Sequence, residues 1–264
     1  EHPDTRRREM LVTSAVGAEP EQVVVLPGNT WIPLVSAAFT GLFFVGVLAK
    51  LYWLAAAGAG LALWSLFRWA WQSGERGGSN ELEIAPGRRV PLHFAVERSP
   101  GWWGTAMALL ADAALYASLL FAYLYLWTVS PLWPPAGFRE VGIALPAAAL
   151  GALAASSLAV RLKRFPLAIV LAVLGAGLES AALAGSELSP TRHAYGAVVL
   201  MLWVLALLHV AVAVLMAAFA MRRAAAGYTE RHVGAVAALF WHYSVLQWAA
   251  GFALVHLFPF MATG

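Results

Sequence analysis

The stretch Tyr195–Met221, YGAVVLMLWVLALLHVAVAVLMAAFAM, decides the fold. It contains no Asp, Glu, Lys or Arg, and it exceeds the about 20 apolar residues that a helix needs to cross the hydrocarbon core of a bilayer. A helix packed on a soluble core shows one apolar stripe and one polar face. This stretch is apolar on every side, so its surroundings are lipid or other apolar helices. The composition of the whole chain agrees: 61% of the 264 residues are hydrophobic and 12% are charged, against roughly 25% charged in soluble domains.

Working outward, six more segments read as spans: Trp31–Ala49, Leu51–Trp71, Trp102–Val129, Val141–Val160, Pro166–Gly185 and Val233–Phe258. The expected fold class is therefore all-α, a polytopic membrane protein of seven transmembrane helices. Residues 1–30 read as an N-terminal tail or linker, 31–71 as a two-helix hairpin bent at Lys50, 72–101 as a polar loop, and 102–264 as a five-helix bundle. Prolines sit near most span ends, where a missing backbone donor costs least. Ala- and Gly-rich runs such as ALPAAALGALAASS let helix backbones approach closely in lipid. The first thirty residues lack the apolar core of a signal peptide.

Charge placement orients these spans, because Lys and Arg accumulate in cytoplasmic loops. Arg6, Arg7, Arg8, Arg68, Arg76, Arg88, Arg89, Arg98, Arg161, Lys163, Arg164, Arg222, Arg223 and Arg231 lie on one side of the seven-span arrangement, fourteen of the 17 basic residues; Lys50, Arg139 and Arg192 lie on the other. The N-terminus is thus expected in the cytoplasm and the C-terminus outside.

The chain has no cysteine, so it has no disulfide framework, thiolate metal site or cysteine nucleophile. It carries no phosphate loop, zinc-protease motif or nucleophile elbow, and no inverted pair of broken helices of the transporter kind. The informative residues are the titratable ones inside spans, which are costly there and are paired or functional. Asp112, His209 and His242 all fall roughly 15–18 Å in from the cytoplasmic ends of their spans, at 1.5 Å per residue. They share one middle layer, and Asp112 is expected to pair with one of the two imidazoles or to find a hydroxyl instead. Glu179 lies nearer the outer half as a buried carboxyl, and His256 lies at the C-terminal edge. Trp31, Trp71, Trp102, Trp103, Trp127, Trp133 and Tyr195 fit an interfacial aromatic belt, whereas Trp241 and Trp248 need packing inside the last span. One histidine in each of two spans is a poor start for haem or copper ligation, so no metal ligand is expected in this chain.

Several of these segments resemble cytochrome c oxidase subunit III, of the haem–copper oxidases. GTAMALLADAALYASLLFAY (104–123) followed by LWPPAG (132–137) is similar to the family's glycine, an acidic residue eight positions on, an aromatic-rich run and a WPP turn; Asp112 stands where the family usually has Glu. YGAVVLMLWVLALLHV (195–210) resembles YG followed by His-x-x-His-Val, with His209 at the second His and Ala206 at the first. FWHYSVLQW (240–248) resembles W-H-F-x-D-x-x-W, keeping Trp241, His242 and Trp248 but with Val245 at the Asp position. Residues 7–34 resemble the tail that joins subunit I to subunit III where the two are fused. The resemblance implies two helices and five helices around a V-shaped, lipid-filled cleft in a bacterial inner membrane. It implies no redox centre here, haem and copper in the partner subunits I and II, bound phospholipids, and no nucleic acid. By the same resemblance Asp112, His209, His242, Trp241 and Trp248 serve proton supply or the lipid cleft, and Arg68 and Arg231 contact lipid headgroups. The competing expectations are a quinol oxidase subunit of the same superfamily and a stand-alone seven-helix transporter.

Overall fold

The computed structural model describes residues 8–26, 28–72, 81–91, 99–135, 142–186, 188–227 and 231–262. Its elements in chain order are β1 (Arg8–Thr13), β2 (Pro20–Leu26), α1 (Ile32–Leu48), α2 (Tyr52–Gln72), β3 (Glu81–Ala85), β4 (Arg88–Pro91), α3 (Pro100–Val129), α4 (Ala144–Arg161), α5 (Phe165–Ala184), α6 (Ala194–Ala225) and α7 (Arg231–Phe252). A π-helical turn (Ala253–Leu257) and a short α8 (Phe258–Ala262) carry the last helix onward. The chain divides into two units, residues 1–97 with 227–229, and 98–226 with 230–264.

The first unit holds α1, α2 and both hairpins. The expected bend falls at Lys50, and its backbone explains why. Lys50 N–H donates to Val47 O at 3.0 Å and Leu51 N–H to Gly46 O at 2.8 Å, the two bonds of a Schellman C-cap. Lys50 takes the left-handed position with φ 58°. The α4–α5 bend repeats this geometry: Lys163 has φ 58°, and the bonds are Lys163 N–H to Val160 O and Arg164 N–H to Ala159 O. The return of α2 along α1 depends on two glycines. A Cβ at Gly46 would stand 2.5 Å from Ala55 N, and one at Gly58 would stand 2.6 Å from Phe43 N.

The all-α expectation needs one amendment. The tail and the polar loop each carry an antiparallel hairpin, β1 with β2 and β3 with β4. Val23 and Val90 are their buried residues, and Arg88 approaches Glu19 at 4.0 Å on the surface. The β-branched run QVVVL and the alternation ELEIA favour strands on a half-buried surface.

In the second unit, α3 to α6 and the helical run Val233–Met261 are each long and apolar enough to cross a membrane. The α1 helix is apolar but 17 residues long, and α2, although 21 residues, is less apolar, its Trp and Tyr side chains each bearing a polar tip. Five of the seven expected spans therefore meet both conditions.

The second unit is apolar outside and small inside. Leu110, Phe121, Val170, Met201, Leu208 and Leu246 point outward at mid-helix, while Ala149, Ala168, Ala172, Ala213 and Ala217 line the interior, as expected where packing rather than water expulsion joins helices. At one end Trp133, from the WPP turn, sits edge-on to Tyr123 and Tyr195, 5.0 Å from each. Trp133 and Tyr195 are buried, so they belong to the core rather than to an aromatic belt; Trp31, Trp103 and Trp127 are exposed, as a belt requires.

Gly58→Ala is expected to lower the thermal midpoint of the detergent-solubilised protein, because the added methyl meets the α1 backbone. Gly60→Ala, with no atom within 4 Å of its Cβ, should raise it, since Ala is favoured over Gly in a helix by about 0.5–1 kcal/mol. Equal effects at the two sites would contradict the close approach.

Candidate functional site

Asp112 lies midway along α3, half-buried, and its Oδ2 is the convergence point of three side chains. Tyr243 on α7 donates its hydroxyl at 2.6 Å, Gln247 one turn further donates Nε2–H at 3.3 Å, and His209 on α6 brings Nε2 to 3.1 Å. The spacing of Tyr243 and Gln247, i and i+4, puts both on one face of α7. Of the two imidazoles expected as partners, His209 is the one in contact.

The imidazole of His209 is fixed at its other end. Nδ1 lies 2.8 Å from Leu205 O, and a carbonyl only accepts, so Nδ1 carries a hydrogen. The contact with Asp112 then needs one further proton, on Nε2 or on the carboxyl. The pair is neutral as a whole in both arrangements, which suits a low-dielectric interior. Phe240 stacks on the imidazole at 5.6 Å and 11°, holding the ring plane. Ser244, also on α7, donates to Phe240 O at 2.8 Å.

The other predicted residues are placed as follows. His242 faces away from Asp112, and its Nδ1 meets Ser157 Oγ on α4 at 2.6 Å. Trp241 is buried and donates Nε1–H to Ser156 Oγ at 3.0 Å. Neighbouring residues of α7 thus pair with neighbouring residues of α4, which fixes how these two helices lie. Trp248 is buried in the core. Ala206 and Val245, the positions where the sequence departs from the motifs it resembles, are packed among apolar side chains. Arg68 is exposed, with its guanidinium 5.7 Å from the Trp64 ring centroid. The side chain of Arg231 lies outside the described residues.

Sequence reasoning missed one pairing. Glu179 on α5 and His256 in the π-helical turn are both buried, with Glu179 Oε1 2.7 Å from His256 Nε2. Nothing local links residues 77 positions apart; the usable signal was that each is a titratable group in a span and therefore in need of a partner. A cavity of about 30 Å³ adjoins them, lined also by Tyr116, Trp203, Trp248 and Gly251. Among the described residues no three His, Asp or Glu side chains gather as metal ligands. Comparisons with protein-family models and with curated proteins find no match to this chain.

A double-mutant cycle separates the two histidines. Asp112→Ala combined with His209→Phe should show a coupling of about 0.5–3 kcal/mol in unfolding free energy, whereas Asp112→Ala with His242→Phe should add to within about 0.5 kcal/mol. The reverse pattern would place the contact on the wrong imidazole.

Proposed function

We propose that this chain is a non-redox core subunit of a proton-pumping haem–copper terminal oxidase of the cytochrome c oxidase type, equivalent to subunit III. One observation carries the reading. The three segments that bear the family likeness, on α3, α6 and α7, meet at a single carboxylate, Asp112, through His209, Tyr243 and Gln247. Isolated motif matches in an Ala- and Leu-rich chain carry little weight; side chains from three such segments joined at one oxygen carry more.

On this reading all seven helices cross the membrane, two plus five around a V-shaped cleft that holds phospholipid. The N-terminus is cytoplasmic, the C-terminus is outside, and the membrane is a bacterial inner membrane. Subunit I, fused or separate, and subunit II are the partners and carry haem and copper. The contribution of this chain is to stabilise subunit I and to support proton uptake. In that role the Asp112 cluster is a polar group whose shared proton can move between Asp112 and His209 within lipid at no change of net charge, and can pass onward as another proton replaces it. Arg68 is assigned to a lipid headgroup because an exposed guanidinium near the end of an apolar helix reaches the interface and attracts phosphate.

Affinity purification through this chain in mild detergent tests the proposal. It should bring down haem-bearing partners in fixed proportion, visible in the reduced-minus-oxidised spectrum, and a chain recovered alone without haem would contradict it. In the purified complex Asp112→Ala should leave the haem content unchanged while oxygen turnover decays faster under sustained load; undiminished turnover with unchanged lipid content would oppose the proton-supply role.

A further inference from the structure

The Glu179–His256 pair uses only one oxygen of the carboxyl. The other, Oε2, is buried and has no protein partner among the described residues, and the same holds for the Tyr116 hydroxyl and the Trp203 indole Nε1. All three side chains line the one cavity of about 30 Å³. Buried polar atoms without partners are costly and uncommon, and three around a single space point to a ligand.

The chemistry of the lining restricts that ligand. An indole N–H only donates, a carboxyl oxygen accepts, and a phenol does both. A metal cation gains nothing from the indole N–H, and an anion is repelled by a carboxylate. The volume excludes anything beyond a few heavy atoms but suits about two waters, each needing roughly 10–15 Å³ on this measure and two to four polar partners. The phenol lies close over the α7 backbone: a Cβ at position 251 would stand 2.5 Å from the Tyr116 hydroxyl, so a larger residue there would push the phenol from its present place. The helix widens to π winding at Ala253–Leu257, the turn that carries His256, and single π turns recur at functional positions.

We propose that this cavity is a water-binding site, in which about two waters held by Glu179 Oε2, the Tyr116 hydroxyl and the Trp203 indole make Glu179 and His256 a hydrated polar site separate from Asp112. It rests on the geometry of α3, α5, α6 and α7 and not on the oxidase reading.

Radiolytic labelling of the full chain in native membranes tests it, since ionised bound water oxidises the side chains beside it even where bulk water is excluded. Trp241 supplies the matched control: it is on the same helix as Trp248, is as deeply buried, and has its indole paired to Ser156. Tyr116 and Trp248 should take up oxygen several-fold faster than Trp241, and Glu179→Leu should bring both down toward the Trp241 rate. Labelling of Tyr116 and Trp248 no faster than Trp241 in the unaltered chain would overturn the proposal, whatever the fate of the variant.

Discussion

A carboxyl group in an apolar helix bundle has to be satisfied by its neighbours, and that constraint organises the second unit of this protein. Asp112 is met by one side chain from α6 and two from α7 on a single oxygen. Removing a partner from such a contact leaves a polar group unsatisfied in apolar surroundings, which favours one register of α3, α6 and α7 along their axes. The stacked Phe240 and the Leu205 carbonyl add a second layer of restraint by fixing the plane and the tautomer of His209.

The same logic recurs around α7. Trp241 and His242 are pinned to Ser156 and Ser157 of α4, and His256 is pinned to Glu179 of α5. This helix and its π-helical continuation therefore carry polar partners for α3, α4 and α5, spaced along their length, while alanine and glycine elsewhere allow the backbones close enough for these short contacts. The outward faces need no such specificity, and they present large apolar side chains.

Much of this was legible from the residues. Runs of uninterrupted apolar sequence located every long helix to within a few residues, since in lipid the backbone must satisfy itself and a helix is the simplest way to do so. Depth placed Asp112 in one layer with two imidazoles and left open whether an imidazole or a hydroxyl would meet it; both do, His209 and the Tyr243 hydroxyl. Depth could not choose between His209 and His242, which depends on which faces of α6 and α7 turn toward α3. The hairpins of residues 8–26 and 81–91 were overlooked because their signals, a β-branched run and a short alternation, are weak beside apolar helices. Trp133 and Tyr195 read as interfacial from their positions at span ends, yet the turn after α3 folds Trp133 inward against Tyr123. Glu179 and His256 could be flagged singly but not paired, since the widened turn at the end of α7 shifts the helical phase that a sequence reading assumes.

The most direct test of the account is solid-state nitrogen NMR of the histidine-labelled chain in lipid, with His209 assigned by the loss of its signals in a His209→Gln variant among the seven histidines. The structure requires a protonated Nδ1 on His209 and an Nε2 resonance that moves when Asp112 is replaced by Asn. An unprotonated Nδ1, or an Nε2 resonance indifferent to residue 112, would contradict the contact on which the arrangement of the three helices depends.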